Sequence, residues 1–172
     1  MCSTQPRPHK PRPDAFVLIS DTMGSTETDS NNDTYKMYVC PTFCAVSAGR
    51  THIASEYWGL MEDALSAIPE PRSHGNIWRT LNEVRRRHRQ EHFLHGVVAT
   101  KYMVTGNHVD ERDRENMMKD FSDYDVGVEA LLGTFDSSGQ ALLYFLGRWA
   151  GGVDGLVHHI PFPGHMAIGV GS

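Results

Sequence analysis

A chain of 172 residues, 40% hydrophobic and 22% charged, is long enough to bury a sizeable core and suits a single domain. Its formal charge of −5 argues against nucleic acid or an anionic membrane surface as the main partner. No apolar run approaches the roughly 20 residues needed to span a bilayer. Three cysteines, Cys2, Cys40 and Cys44, cannot all pair within the chain. That points to a reducing compartment, and the start of the chain has no apolar signal-peptide core, so the expected location is the cytoplasm.

Residues 1–13 read as a leader: Pro6, Pro8, Pro11 and Pro13 forbid a helix or a central strand and favour an extended tail. A single domain is expected over 14–172. "AFVLIS" is short, continuous and β-rich, the pattern of a buried strand. "MGSTETDSNNDT" is a polar turn region, and "YKMYV" and "FCAVSAG" are two further strands broken by Pro41. The period then changes. Ile53, Tyr57, Leu60, Ala64 and Leu65 recur at helical spacing until Pro69 stops the run. "NIWRTLNEVRRRHRQEHFLHG" is a second helix with Ile77, Leu81, Val84 and His88 on one stripe and Gly96 near its end. "VVATKYMVT" fits either a continuing helix or a strand, and "GNHVDERDRENMMKDFSDYD" a loop with a short helix. "VEALLGTFD" and "ALLYFLG", joined by "SSGQ", form a hairpin. "LVHHIPF" is a strand with one of His158 and His159 on each face. Strands, two helices, then strands again make an α+β layered domain.

"LISDT", "YKMYV", "FCAVSAGR", "LLGTFDSSGQALLYFLG" and "AIGVGS", in this order over residues 15–172, resemble the proteasome β-subunit branch of the N-terminal-nucleophile (Ntn) hydrolases. The resemblance implies an α/β/β/α four-layer sandwich, here incomplete at its C-terminus, in which two antiparallel sheets lie between helical layers. It implies threonine-type peptidase or amidohydrolase chemistry in protein degradation, with a peptide or protein substrate, no cofactor or metal, and a homo-oligomeric ring. The nucleophile in that family is the side chain of an N-terminal residue whose α-amine serves as base. Lys36 would tune it, Asp21 would hold Lys36, Gly49 N–H would supply the oxyanion hole, and Ser47 would lie near the substrate pocket. Asp21 and Lys36 would form a buried ion pair on adjacent strands, each needing the other.

The chain departs from the pattern at both ends. The family's nucleophile position falls near Gln5, which cannot attack a carbonyl, and a Pro-rich run stands where an opening strand belongs. The nucleophile is therefore unidentified; Cys2 and Thr4, if uncovered by processing, are the candidates. Met23 replaces a frequent arginine, Val170 a serine that supports the amine, and the last helices and strands of the family are not matched. Either the chain is part of a longer protein or it is a degenerate member, a pseudoenzyme that keeps the scaffold of a ring-shaped assembly.

"HRQEH" offers a reading of another class. His88, Glu91 and His92 match the H-x-x-E-H arrangement of inverted zinc peptidases, and on a helix His88, His92 and His95 share a face. The plainer expectation for this arginine- and histidine-rich stretch is a solvated helix face. For Cys40 and Cys44 it is core packing.

Overall fold

Asp136 ends one apolar run and starts a tight turn, and its side chain satisfies that turn's donors. Its carboxylate accepts from the N–H groups of Ser138 at 2.9 Å and Gln140 at 3.0 Å, while Gly139 takes a positive φ of 76°. This is the local chemistry by which Asp, Ser and Gly reverse a chain. It joins β5 (Val128–Phe135) to β6 (Ala141–Leu146) as the expected hairpin. The computed structural model describes residues 15–20, 24–25, 30–31, 36–102, 113–147 and 157–168, with 24–25 and 30–31 as backbone.

Around that hairpin stands a five-stranded sheet, each strand antiparallel to its neighbour, in the order β3 (Met37–Val39), β4 (Cys44–Gly49), β5, β6 and β7 (Val157–Ile160). A two-residue ladder pairs β1 (Gly24–Ser25) with β2 (Ser30–Asn31) inside the polar turn region. Register fixes which residues share a face, because side chains alternate along each strand. The row Ala45, Leu132, Tyr144 and His159 belongs to the face under the helices. Ala45, Leu132 and Tyr144 there pack with Tyr57, Met61 and Leu65 of α1 (Thr51–Ser66) and with Ile77 and Leu81 of α2 (His74–Phe93). The adjacent row, Val46, Leu131, Phe145 and His158, belongs to the opposite face, where Val46, Leu131 and Phe145 are buried with Leu18, Ile160 and Met166 against them. His158 and His159 thus divide between the faces as alternation requires.

Helix α2 starts where Ser73 caps it, its hydroxyl accepting from Asn76 N–H at 3.3 Å. Two side chains of α2 then pin the edge strand. Trp78 Nε1 donates to Val157 O at 2.9 Å, and Asn82 Oδ1 accepts from Val157 N–H at 3.0 Å. Beyond Phe93 the chain continues as a π-helical segment, Leu94–Tyr102, so the ambiguous stretch is helical and not a strand as far as Tyr102; 103–105 lie outside the described residues. The short helix expected further on is α3 (Arg114–Asp123). It is held by Phe121 and Tyr124 against Phe93 and Tyr102.

Two expectations need correction. "AFVLIS" is extended but is no continuously buried strand. Phe16 and Leu18 are half-buried, whereas Val17 and Ile19 are 80% and 84% exposed. Only one side of the segment lies on the sheet, with the Phe16 ring filling the space over Gly133, where a Cβ would come within 2.2 Å of it. Nor is the basic stretch of α2 a solvated face. Arg85, His88 and Arg89 are 0%, 2% and 6% exposed, on the stripe begun by Ile77 and Leu81. Long side chains bury their stems and carry polar heads to backbone carbonyls: Arg85 Nη2 donates to Val128 O at 3.1 Å. Among the described residues no helix is long and apolar enough to cross a membrane.

Beneath α2, His159 lies 4.4 Å from the His74 ring and 5.6 Å from Tyr144, centroid to centroid. Burial, and secondarily His74, holds the His159 imidazole below its ordinary range. Below about pH 6.5, the ordinary histidine value, the unfolded chain takes up a proton that the folded chain resists. Stability from this site is therefore complete above that pH and falls as pH drops through it. Urea midpoints measured from neutral pH downward should decline, and His159→Gln should flatten the decline; an unchanged slope would place the proton uptake elsewhere.

Candidate functional site

The Lys-bearing strand and the Ala-Gly strand are brought together by a short turn at Pro41, closed by Cys40 N–H donating to Phe43 O at 3.0 Å. Pairing of Met37 with Val46 sets Lys36 opposite Ser47. The Ser47 N–H donates to Lys36 O at 2.8 Å. Ser47 Oγ lies 3.5 Å from the same oxygen, the outer limit of a hydrogen bond. Gly49 ends β4 at φ 96°, a backbone conformation that favours glycine. A Cβ there would stand 2.1 Å from Gly127 O, the oxygen that accepts from Arg50 N–H at 3.0 Å as the chain enters α1. On the same strand pair, Tyr38 donates its hydroxyl to Glu62 Oε2 at 2.5 Å, tying β3 to α1. That carboxylate, with burial, pushes the phenol up to about 12.

The structure therefore gathers Lys36, Ser47 and Gly49 at one end of the sheet. Asp21, the expected partner of Lys36, lies outside the described residues, as do Cys2, Thr4, Met23 and Val170. Cys40 packs beside the core and Cys44 is half-buried. Burial, with Cys40 nearby, pushes the Cys44 thiol up, the opposite of what an activated thiolate requires.

A second cluster stands on the helical layer. His88 and His92, one turn apart on α2, have ring centroids 4.4 Å apart. His92 Nε2 lies 3.3 Å from Glu56 Oε2 of α1. One donor atom from each of Glu56, His88 and His92 falls within 4.8 Å of the others. The Tyr57 ring lies 4.9 Å from that of His88. Glu91, the carboxylate of the H-x-x-E-H spacing, is turned along its own helix instead. It accepts from Arg87 Nε at 2.8 Å, a bond that holds its carboxyl below the usual range. His95 is exposed. Glu56 was invisible to sequence reasoning because its partners lie on a different helix.

No protein-family model matches this chain, and no curated protein matches it.

Proposed function

We propose that the chain is a divergent proteasome-like Ntn hydrolase, built on the α/β/β/α plan and acting on peptide amides in protein degradation. One hydrogen bond carries this conclusion. The Ser47 N–H to Lys36 carbonyl contact joins the two segments whose motifs suggested the family and sets the lysine across from the strand that ends in Gly49. The second sheet face lends support, since Val46, Leu131 and Phe145 are buried there under Leu18 and Met166, as an inner sheet surface requires. In this scheme an N-terminal Thr, Ser or Cys attacks the amide carbonyl and its own amine takes the proton. Lys36 lowers the nucleophile's pKa, Asp21 orients Lys36, Gly49 N–H donates to the developing oxyanion, and Ser47 borders the side-chain pocket.

The alternative is a scaffold subunit without catalysis, favoured by Val17, Ile19 and Val39, which are apolar yet largely exposed and suit burial between subunits. The test combines fluorogenic-peptide cleavage, light scattering on a sizing column, and mass spectrometry of the N-terminus. An active enzyme carries a free N-terminal Thr, Ser or Cys and loses about 10²-fold or more of its kcat on Lys36→Ala, the scale of losing a proton-transfer or charge-tuning group. A scaffold forms a large assembly that leaves the peptides intact. A monomer with no cleavage sinks both.

A further inference from the structure

We propose that Glu56, His88 and His92 bind a zinc-class divalent cation across the seam between α1 and α2, with an outward coordination position open to water. The proposal is independent of the amide-cleaving site at the end of the sheet.

Donor chemistry comes first. Two imidazoles and one carboxylate are a set that zinc-class cations accept in open sites, whereas calcium and magnesium favour oxygen donors. The Glu56 carboxylate and the His92 imidazole already meet at 3.3 Å, and the His88 ring stands 4.4 Å from that of His92. Two imidazoles and a carboxylate thus bring one possible donor atom each within 4.8 Å of one another.

Geometry agrees. With metal–donor bonds of about 2.0–2.1 Å, tetrahedral donors sit roughly 3.4 Å from one another. The His92 Nε2 to Glu56 Oε2 separation is already 3.3 Å. The full set within 4.8 Å needs a further closure of about 1.4 Å at most, within reach of side-chain torsions alone.

Depth also fits. His88 is 2% exposed and forms the floor with Tyr57 beside it; the His92 and Glu56 side chains are 26% and 65% exposed. The site is closed below and open above, which gives the ion an entry path and a place for water. The neighbouring guanidiniums of α2 are directed to carbonyls, Arg85 to Val128 and Arg89 to Phe121, Ser122 and Tyr124. Glu91 is engaged by Arg87. A bound ion would clamp the two helices that cover the sheet.

The experiment uses the full chain stripped with chelator and titrated with zinc by calorimetry, then with cobalt, followed by its visible absorption. Glu56→Gln and His92→Gln remove one donor each at the exposed end and leave buried His88 in place, so folding is preserved and checked by circular dichroism. One equivalent of zinc should bind, cobalt should give the intense absorption of a four- or five-coordinate ion, and the melting temperature should rise with metal. Each substitution should weaken binding by about tenfold or more, since even groups that only orient metal ligands contribute 10–100-fold, and should abolish the metal-induced rise. Absence of stoichiometric binding overturns the proposal. So does an affinity equal to the parent's in both variants, which would place the metal on other residues of the chain.

Discussion

Replacing Gly49 by alanine is expected to destabilise the fold by about 2–6 kcal/mol. A non-glycine residue held at φ 96° carries strain of order 1–3 kcal/mol. Its Cβ would also press to 2.1 Å of Gly127 O. That oxygen is backbone and cannot swing aside as a side chain would. Relieving the clash means parting the end of β4 from β5 or breaking the Arg50 N–H bond to that oxygen, at about 1–3 kcal/mol for a hydrogen-bonding group left unmet. Domains of this kind are stable by about 5–15 kcal/mol in total, so the loss should be plain in a urea titration. Gly59 supplies the control. It is exposed within α1, a Cβ there meets nothing within 4 Å, and Gly59→Ala should gain about 0.5–1 kcal/mol from the reduced freedom of the unfolded chain. If Gly49→Ala proved as stable as the parent, the tight approach of β4 to Gly127 would be wrong, and with it the placement of Gly49 beside the Lys36 strand.

Arg89→Ala is expected to cost about 2–4 kcal/mol, the scale of leaving helix-end carbonyls without donors, at about 1–3 kcal/mol for a group unmet, together with the lost packing of its stem. The last carbonyls of a helix have no donors of their own. For α3 they are met from another helix. Arg89 Nη2 donates to Phe121 O, to Ser122 O at 3.3 Å and to Tyr124 O at 3.1 Å, Nε reaches Tyr124 O at 3.2 Å, and the guanidinium lies 4.4 Å from the Phe121 ring. A cation at a helix C-terminus is also favoured by the helix dipole. Arg89→Met keeps an unbranched stem without donors and should recover only the packing share, about 1 kcal/mol. Hydrogen exchange should then show α3 opening before the sheet. Uniform loss of protection across sheet and helices would mean that Arg89 supports the global core and not this helix end.

Much of the architecture was legible because its signals are local. The Asp-Ser-Ser-Gly turn between two apolar runs sets the β5–β6 hairpin through the Asp136 carboxylate and the positive φ of Gly139. The helical recurrence of Ile53, Tyr57 and Leu65 marks the buried stripe of α1. Alternation alone divides His158 from His159. Where the expectation failed, the missing information was non-local. The five apolar residues at 15–19 look uniformly buried, yet whether Val17 and Ile19 are covered depends on what lies beyond them, and the segment itself contains no trace of that.

The same division separates the sites. Residue order and strand period by themselves mark "YKMYV" and "FCAVSAG" as strands, and the short turn at Pro41 then leaves antiparallel neighbours little choice of register. Only tertiary packing decided the rest. Arg85, His88 and Arg89 are buried because α2 turns that stripe onto α1, β5 and the end of α3, where aromatic rings and carbonyls receive stems and charges that would otherwise prefer water. Packing likewise chose Glu56 over Glu91 as the carboxylate facing the two imidazoles. An i to i+4 partner held Glu91 on its own helix, and the angle at which two helices meet is written in no stretch of either one.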